Sequence, residues 1–180
     1  MDDLYVKKVC QGDIESFRYF LKKYRDMAFS LAVSILKDEF LADEVVQEAF
    51  IKAFNGMKSF NSKSSFRTWF YRIVLNEAFK YRKIIKREIL DFQPEYNEEI
   101  IDENILFALQ KDEQIYYINE ALKILPAHES LVLRLYYLEE ESIKDVCDIT
   151  GWSESNTKVV LHRARKSMLV AWNKLMKLNK

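Results

Sequence analysis

Apolar residues recur at three- and four-residue spacing along most of this chain and almost never alternate, a pattern that predicts helices and no sheet. A first helical region spans about Leu4 to Lys37, broken near Gly12 with Asp13 as a cap. Its apolar face is Phe17, Phe20, Leu21, Tyr24, Ala28, Leu31, Ala32 and Ile35. Asp38 caps a second helix that reaches about Phe54, with Val45, Ala49, Phe50 and Ala53 turned inward. After the polar turn 55–65, Ser64 or Ser65 opens a third long helix from Phe66 to about Arg87. The pattern loosens between Leu90 and Asp112, around Pro94. It resumes as a helix over Glu113 to Ile124, another from Pro126 to Leu138, and two more to the end of the chain. The predicted fold is all-α: two small helical domains, residues 1–89 and 113–180, joined by an acidic linker over 90–112.

Composition agrees, with only 3 Gly and 2 Pro in 180 residues. A 14% aromatic share predicts small bundles stitched together by Phe and Tyr. Charge changes the picture more. The formal net charge is zero, but residues 1–90 carry 17 Lys/Arg against 12 Asp/Glu, residues 91–120 carry 1 against 9, and residues 121–180 carry 10 against 7. Two basic ends flank an acidic middle, so the overall balance says little about affinity for nucleic acid.

The text from Glu141 to Lys166 reads as a helix-turn-helix. Ser142 and Asp145 form a capping box, Gly151 supplies the tight turn, and Ser153 caps the second helix. Cys147, four residues before the glycine, falls where the two helices cross closely. Thr157, Val160, Leu161, Ala164 and Met168 form the buried stripe of that second helix. Ser155, Asn156, Lys158, Val159, His162, Arg163, Arg165 and Lys166 fall mainly on its other faces. Short polar groups followed by cations suit a helix end in a major groove, where polar groups read base edges and cations hold phosphates. The alternative is an ordinary helical hairpin with a solvated basic face.

The helix from Phe66 carries a second basic surface: Arg67, Arg72, Lys80, Arg82, Lys83, Lys86 and Arg87, interleaved with Trp69, Tyr71 and Tyr81. Cations that track phosphates beside aromatic faces that stack bases are what single-stranded nucleic acid requires. Phe70, Ile73, Val74 and Phe79 are assigned to the core. Ahead of this helix, Phe60, Asn61, Ser62, Lys63 and Ser64 offer amide and hydroxyl groups that suit an unstacked base. The second helix presents Asp43, Glu44, Gln47 and Glu48 outward. An acidic face is repelled by DNA and is suited to a protein partner, or simply to water.

Cys10 and Cys147 are far apart, fit no metal or redox motif, and read as small buried hydrophobes. With His128 and His162 the only histidines, no zinc site is expected. No Ser/His/Asp, Cys/His or phosphate-loop arrangement points to an enzyme, and no cofactor is expected. No apolar run is long enough for membrane insertion and no signal peptide precedes the first helix, so a cytoplasmic location is expected.

Taken in order, three segments carry a family likeness: Asp43–Phe54, Ser65–Asn76 and Val159–Lys166. The chain resembles the bacterial sigma-70 family of RNA polymerase sigma factors, in the small extracytoplasmic-function (ECF) group that keeps only the second and fourth conserved regions. The resemblance implies a factor that joins core RNA polymerase, directs it to promoters and starts transcription, in a stress or envelope response. It implies that Asp43, Glu44, Gln47, Glu48 and Lys52 meet the clamp helices of the polymerase. It implies that Phe60, Asn61, Ser62, Lys63, Ser64, Arg67, Trp69, Arg72, Asn76, Lys80 and Lys83 recognise and open the −10 element. The −35 duplex would fall to Ser153, Ser155, Asn156, Lys158, Val159, His162, Arg163, Arg165 and Lys166. An anti-sigma factor is the implied inhibitory partner, and the linker acids would lie near the polymerase cleft. Cys147 and Thr150 depart from the family's usual alanine and hydrophobic residue. The alternative is a helix-turn-helix repressor or activator that does not replace the sigma subunit, but it leaves the second basic helix and the acidic face without a use.

Overall fold

The computed structural model describes residues 1–88 and 111–178, so the expected linker, apart from its last two positions, lies outside the described residues. The described residues form eight α-helices and no strand. They are α1 (Asp2–Cys10), α2 (Arg18–Leu36), α3 (Glu39–Gly56), α4 (Phe66–Glu88), α5 (Lys111–Ile124), α6 (Ala127–Leu133), α7 (Ile143–Thr150) and α8 (Glu154–Leu178).

Local chemistry starts α3 and α4 where expected. Asp38 accepts from the Leu41 amide at 2.9 Å and opens α3. Ser65 Oγ accepts from the Thr68 amide at 3.1 Å and opens α4. Asp13 accepts from the Ser16 amide, but caps a 3₁₀ turn over Ile14–Phe17 before α2 begins. The expected helix from Pro126 to Leu138 is α6 followed by a wider π turn over Arg134–Leu138. There the Glu139 amide reaches back to the Arg134 carbonyl, a five-residue step that swings Arg134 toward α2.

The N-terminal half is a bundle of α2, α3 and α4, with α1 packed against the short turns over Ile14–Phe17 and Met57–Ser59. Aromatic rings fill its centre: Phe20 lies 4.0 Å from Phe66, and Phe50 lies 4.5 Å from Phe70, between ring centroids. Asp2 pins α1 to α2 by accepting from Tyr19 at 2.7 Å, from Lys23 at 2.5 Å and from Tyr24. Two expected core members fall outside this packing. Leu21 is 39% exposed, because α2 leaves one flank uncovered beside α3, and Cys10 is exposed at the end of α1.

In the C-terminal half α8 packs on α5, α6 and α7. Thr157, Leu161, Ala164, Ala171 and Trp172 are its buried stripe. The two halves also touch. α7 packs along α4, and α6 packs against α2. Arg134 donates to Ser34 Oγ at 2.8 Å and to Asn119 at 3.2 Å, while Lys37 donates to the Leu122 carbonyl at 2.5 Å. Phe79 of α4 stacks on His128 of α6 at 4.8 Å.

Candidate nucleic-acid and protein interfaces

The helix-turn-helix is built as its sequence requires. Ser142 Oγ accepts from the Asp145 amide at 3.1 Å, and Gly151 adopts φ 76°, where a Cβ would be strained. Ser153 Oγ accepts from the Asn156 amide at 3.2 Å and starts α8. Cys147 Sγ lies 3.3 Å from Thr157 Oγ1, which marks the close crossing of α7 and α8; the cysteine is half-buried rather than buried. All nine positions expected on the reading surface are exposed: Ser153, Ser155, Asn156, Lys158, Val159, His162, Arg163, Arg165 and Lys166.

Not all of these are equally available. Lys158 pairs with Glu154 one turn earlier at 2.6 Å; this bond pushes the ammonium's pKa up and the carboxyl's down. Arg165 donates to the Tyr137 hydroxyl at 2.7 Å and lies 5.6 Å over that ring. Tyr137, Leu138, Leu133, Ile118, Met168, Leu169 and Trp172 line an apolar groove of about 680 Å³ rimmed by His162, Arg165 and Lys166. Sequence periodicity did not point to this groove, because its lining comes from α5, α6, the π turn and α8 together.

On α4 the expected nucleic-acid residues separate by face. Trp69 lies between Phe60, 5.0 Å away, and the end of α3; a side chain at Gly56 would meet its ring at 3.3 Å. Asn61, Ser62 and Lys63 are exposed just ahead of it, with Ser62 at φ 55°, and Ser64 is half-buried. Asn76, Lys80 and Lys83 are exposed on the helix. Arg67 and Arg72 are instead engaged by the C-terminal half: Arg67 ion-pairs with Glu141, and Arg72 donates to the Asp148 carbonyl. Tyr71, read as a stacking aromatic, is 2% exposed and belongs to the core, because the helix turns it toward Tyr24 and Phe70.

The acidic face of α3 divides as well. Asp43 accepts from Gln47 at 2.8 Å and from Arg25 at 3.5 Å. Asp43 and Gln47 border a mainly apolar groove of about 550 Å³ between α2 and α3, where Ile14, Leu21, Ile51 and Phe54 also contribute. Glu48 and Lys52 turn toward α4 instead: Lys52 pairs with Glu77 at 2.6 Å, and Tyr81 donates to Glu48 at 3.5 Å. Glu44 is exposed. The exposed apolar residues Leu21 (39%) and Ile51 (61%) are the part of this surface that charge patterning missed.

Among the described residues, no group of three or more His, Cys, Asp or Glu side chains is placed to hold a metal ion. No described helix is long and apolar enough to cross a membrane.

Comparison with known proteins follows the same division into halves. The family description "Sigma-70 region 2" matches residues 20–88, and "Sigma-70, region 4" matches residues 115–168. The chain is 34% identical over 132 residues to RNA polymerase sigma factor YlaC of Bacillus subtilis, which covers 69% of this chain and 73% of that one. It is 27% identical over 172 residues to the ECF RNA polymerase sigma factor SigW of the same organism, over 91% of this chain and 92% of the relative. Its fold is similar to that of sigma factor RpoE solved with the anti-sigma factor NepR from Bartonella quintana, with a TM-score of 0.66, 21% identity and coverage of 92% of this chain and 99% of that one. A basic-aromatic helix after an acidic one, and a capped helix-turn-helix after both, are thus the two regions of one family: this chain belongs to the sigma-70 family of RNA polymerase sigma factors, in its extracytoplasmic-function group.

Proposed function

We propose that the three surfaces of this sigma factor divide the work of initiation among them. The α2–α3 groove, with Asp43, Gln47 and the apolar Leu21 and Ile51 at its border, receives the clamp helices of core RNA polymerase. Glu44, Glu48 and Lys52 flank that contact. The loop Phe60–Ser64 and the α4 residues Arg67, Trp69, Arg72, Asn76, Lys80 and Lys83 take the −10 element as it opens. Trp69, held against Phe60 and Gly56, supplies the flat face on which a base stacks, worth about 1–3 kcal/mol. The exposed face of α8 reads the −35 element as duplex, with Arg163 and Lys166 on phosphates and Ser155, Asn156 and Val159 near base edges.

The observation that carries this reading is the pairing of two exposed basic helices of different character in one chain. α4 interleaves cations with aromatics, and α8 presents cations and short polar groups from a helix-turn-helix. Reading intact duplex and holding melted strand are different tasks, and each surface suits one of them. The domains are then 1–89 and 113–180, with the acidic stretch 90–112 as connector toward the polymerase cleft. The chemistry belongs to the polymerase; this chain supplies recognition and strand opening, needs no cofactor and works in the cytoplasm. An anti-sigma factor is its proposed inhibitor, supported by the fold's likeness to sigma factor RpoE, solved with the anti-sigma factor NepR. Adding the chain to sigma-free core polymerase on fragmented genomic DNA of its source tests the whole reading. Transcripts starting downstream of a shared, spaced pair of motifs are expected. Binding to duplex without any polymerase-dependent transcript would overturn it.

A further inference from the structure

Where α2 meets α5 and α6, the packing leaves a largely polar cavity of about 320 Å³. Arg134, in the π turn that follows α6, lines it half-buried. Its Nε donates to Ser34 Oγ at 2.8 Å and one Nη donates to Asn119 Oδ1 at 3.2 Å, both neutral oxygens. Among the described residues no carboxylate forms an ion pair with Arg134, and its other Nη donates to none of them. Burial pushes the guanidinium's pKa down, and the Glu139 charge offsets this only in part. A desolvated cation bonded only to neutral groups gains more from an anion than any exposed cation does.

Two further donors on the lining are uncommitted. Asn119 Nδ2, whose amide is oriented by Oδ1 accepting from Arg134, and the half-buried Ser30 hydroxyl bond no described residue. Ser34 is committed, since its Oγ donates to the Ser30 carbonyl at 2.8 Å while accepting from Arg134. Ser130 Oγ is committed to the Leu122 carbonyl at 2.9 Å, which Lys37 also meets at 2.5 Å. Arg82 and Arg134 repel that Lys37 ammonium, so an anion in the cavity relieves like-charge crowding as well. Lys123, paired with Glu120 at 2.7 Å, adds a cation to the lining; Glu39, the one acid there, is exposed and forms no ion pair. The free donors come from α2, α5 and the π turn, and this spread of directions suits a tetrahedral phosphate better than a planar carboxylate. Phe29 and Val33 give the wall an apolar face, and the volume is at the low end of the roughly 300–1,000 Å³ of ligand pockets, which suits a small organic group.

We propose that this cavity binds a small phosphate monoester, held by the free Nη of Arg134, Asn119 Nδ2 and the Ser30 hydroxyl, with its organic group against Phe29 and Val33. A ligand there touches α2 and α5 at once, so it stabilises the folded chain as its concentration rises. The site shares no residue with the α2–α3 groove or with the exposed faces of α4 and α8, and it does not depend on how those surfaces are used.

The test uses the full chain, with phenyl phosphate as the probe and inorganic phosphate and benzoate as comparisons at matched ionic strength. Calorimetric affinity and the thermal unfolding midpoint are measured for the wild type, Arg134→Gln, Asn119→Asp and Lys7→Gln. Asn119→Asp keeps the size of the side chain and gives Arg134 a carboxylate of its own, so it tests the site should Arg134→Gln fail to fold. Lys7 is exposed on α1 and outside the lining, so its substitution removes a cation away from the cavity. Saturable binding by the wild type is expected, with a midpoint that climbs as phenyl phosphate is added. Arg134→Gln and Asn119→Asp should each weaken binding at least about tenfold, as loss of a hydrogen bond to a charged group does, and Lys7→Gln should match the wild type. No saturable binding, binding undiminished in Asn119→Asp, or an equal loss in Lys7→Gln would overturn the site. Inorganic phosphate bound as tightly as the ester would overturn the role of the apolar wall, and benzoate bound as tightly would overturn the choice of phosphate.

Discussion

The Arg67 guanidinium, in the first turn of α4, holds the carboxylate of Glu141, which the approach to α7 leaves 2% exposed. Burial pushes the Glu141 carboxyl above its ordinary value of 4.5, and Arg67 pulls it back. Removing one partner of a buried pair costs about 3–5 kcal/mol, but Arg67 is 43% exposed, and solvent screening reduces this to about 1–2 kcal/mol. Arg67→Ala should therefore lower stability by that amount in urea unfolding at neutral pH, and Arg67→Ala/Glu141→Gln should recover most of it. The folded chain holds this proton more tightly than the unfolded chain, so the deficit grows as pH rises past 4.5 and shrinks toward acid. A double-variant deficit as large as that of Arg67→Ala would mean that the unpaired Glu141 carboxylate is not what destabilises the single variant.

Lys37 ends α2 in a left-handed conformation, φ 62°, with Nζ on the Leu122 carbonyl at 2.5 Å. Desolvation, and then Arg82 and Arg134, hold its pKa down at about 7. The folded value lies below the ordinary 10.5, so stability from this contact is full above 10.5 and is lost as pH falls through about 7. Unfolding midpoints in urea should rise between about pH 7 and pH 9, and Lys37→Met should flatten that rise. A wild-type midpoint that does not change over this window would show that Lys37 keeps its proton in the fold.

Ile51 is 61% exposed at the α2–α3 groove, whereas Glu48 leans toward Tyr81 of α4. Surface substitutions of this kind change stability by about 0.5 kcal/mol or less, so both variants should fold. Ile51→Glu is expected to weaken core-polymerase binding at least about tenfold, equivalent to about 1.4 kcal/mol, by placing a charge in an apolar contact. Glu48→Lys should weaken it less. Competition against a labelled sigma factor for core enzyme ranks the two, and the reverse order would move the contact from the groove to the α3–α4 edge.

Arg163 and Arg165 stand two residues apart on α8, but only Arg165 is tied down, by Tyr137 at 2.7 Å. Arg163→Ala should weaken duplex promoter binding and lower the salt slope by about 1, as loss of one phosphate contact does. Arg165→Ala should change both less, and neither should alter core binding. Filter binding across a salt series reads the slopes directly; identical slopes for the two variants would mean that Arg165 leaves Tyr137 on DNA.

Local order was legible in the residues because it depends on neighbours a few positions apart. The caps at Asp38, Ser65, Ser142 and Ser153, the turn at Gly151 and the exposed face of α8 follow from side chains bonding to backbone within three or four residues, and from the 3.6-residue period. Periodicity says which face of a helix is apolar, but not whether another helix arrives to cover it. Leu21 is therefore left at a groove, Cys10 at the surface, and Tyr71 packed away from any base. Packing also decides which acids of α3 border the groove and which turn to α4. The most consequential part, the pairing of Arg67 with Glu141 and of Arg72 with the Asp148 carbonyl, joins residues more than seventy positions apart. From sequence alone this chain was a helical sigma factor with two basic reading surfaces. Only tertiary structure brought α7 of the C-terminal half against the basic flank of α4, because contact between distant helices depends on shape and charge summed over whole faces, and no local pattern carries that sum.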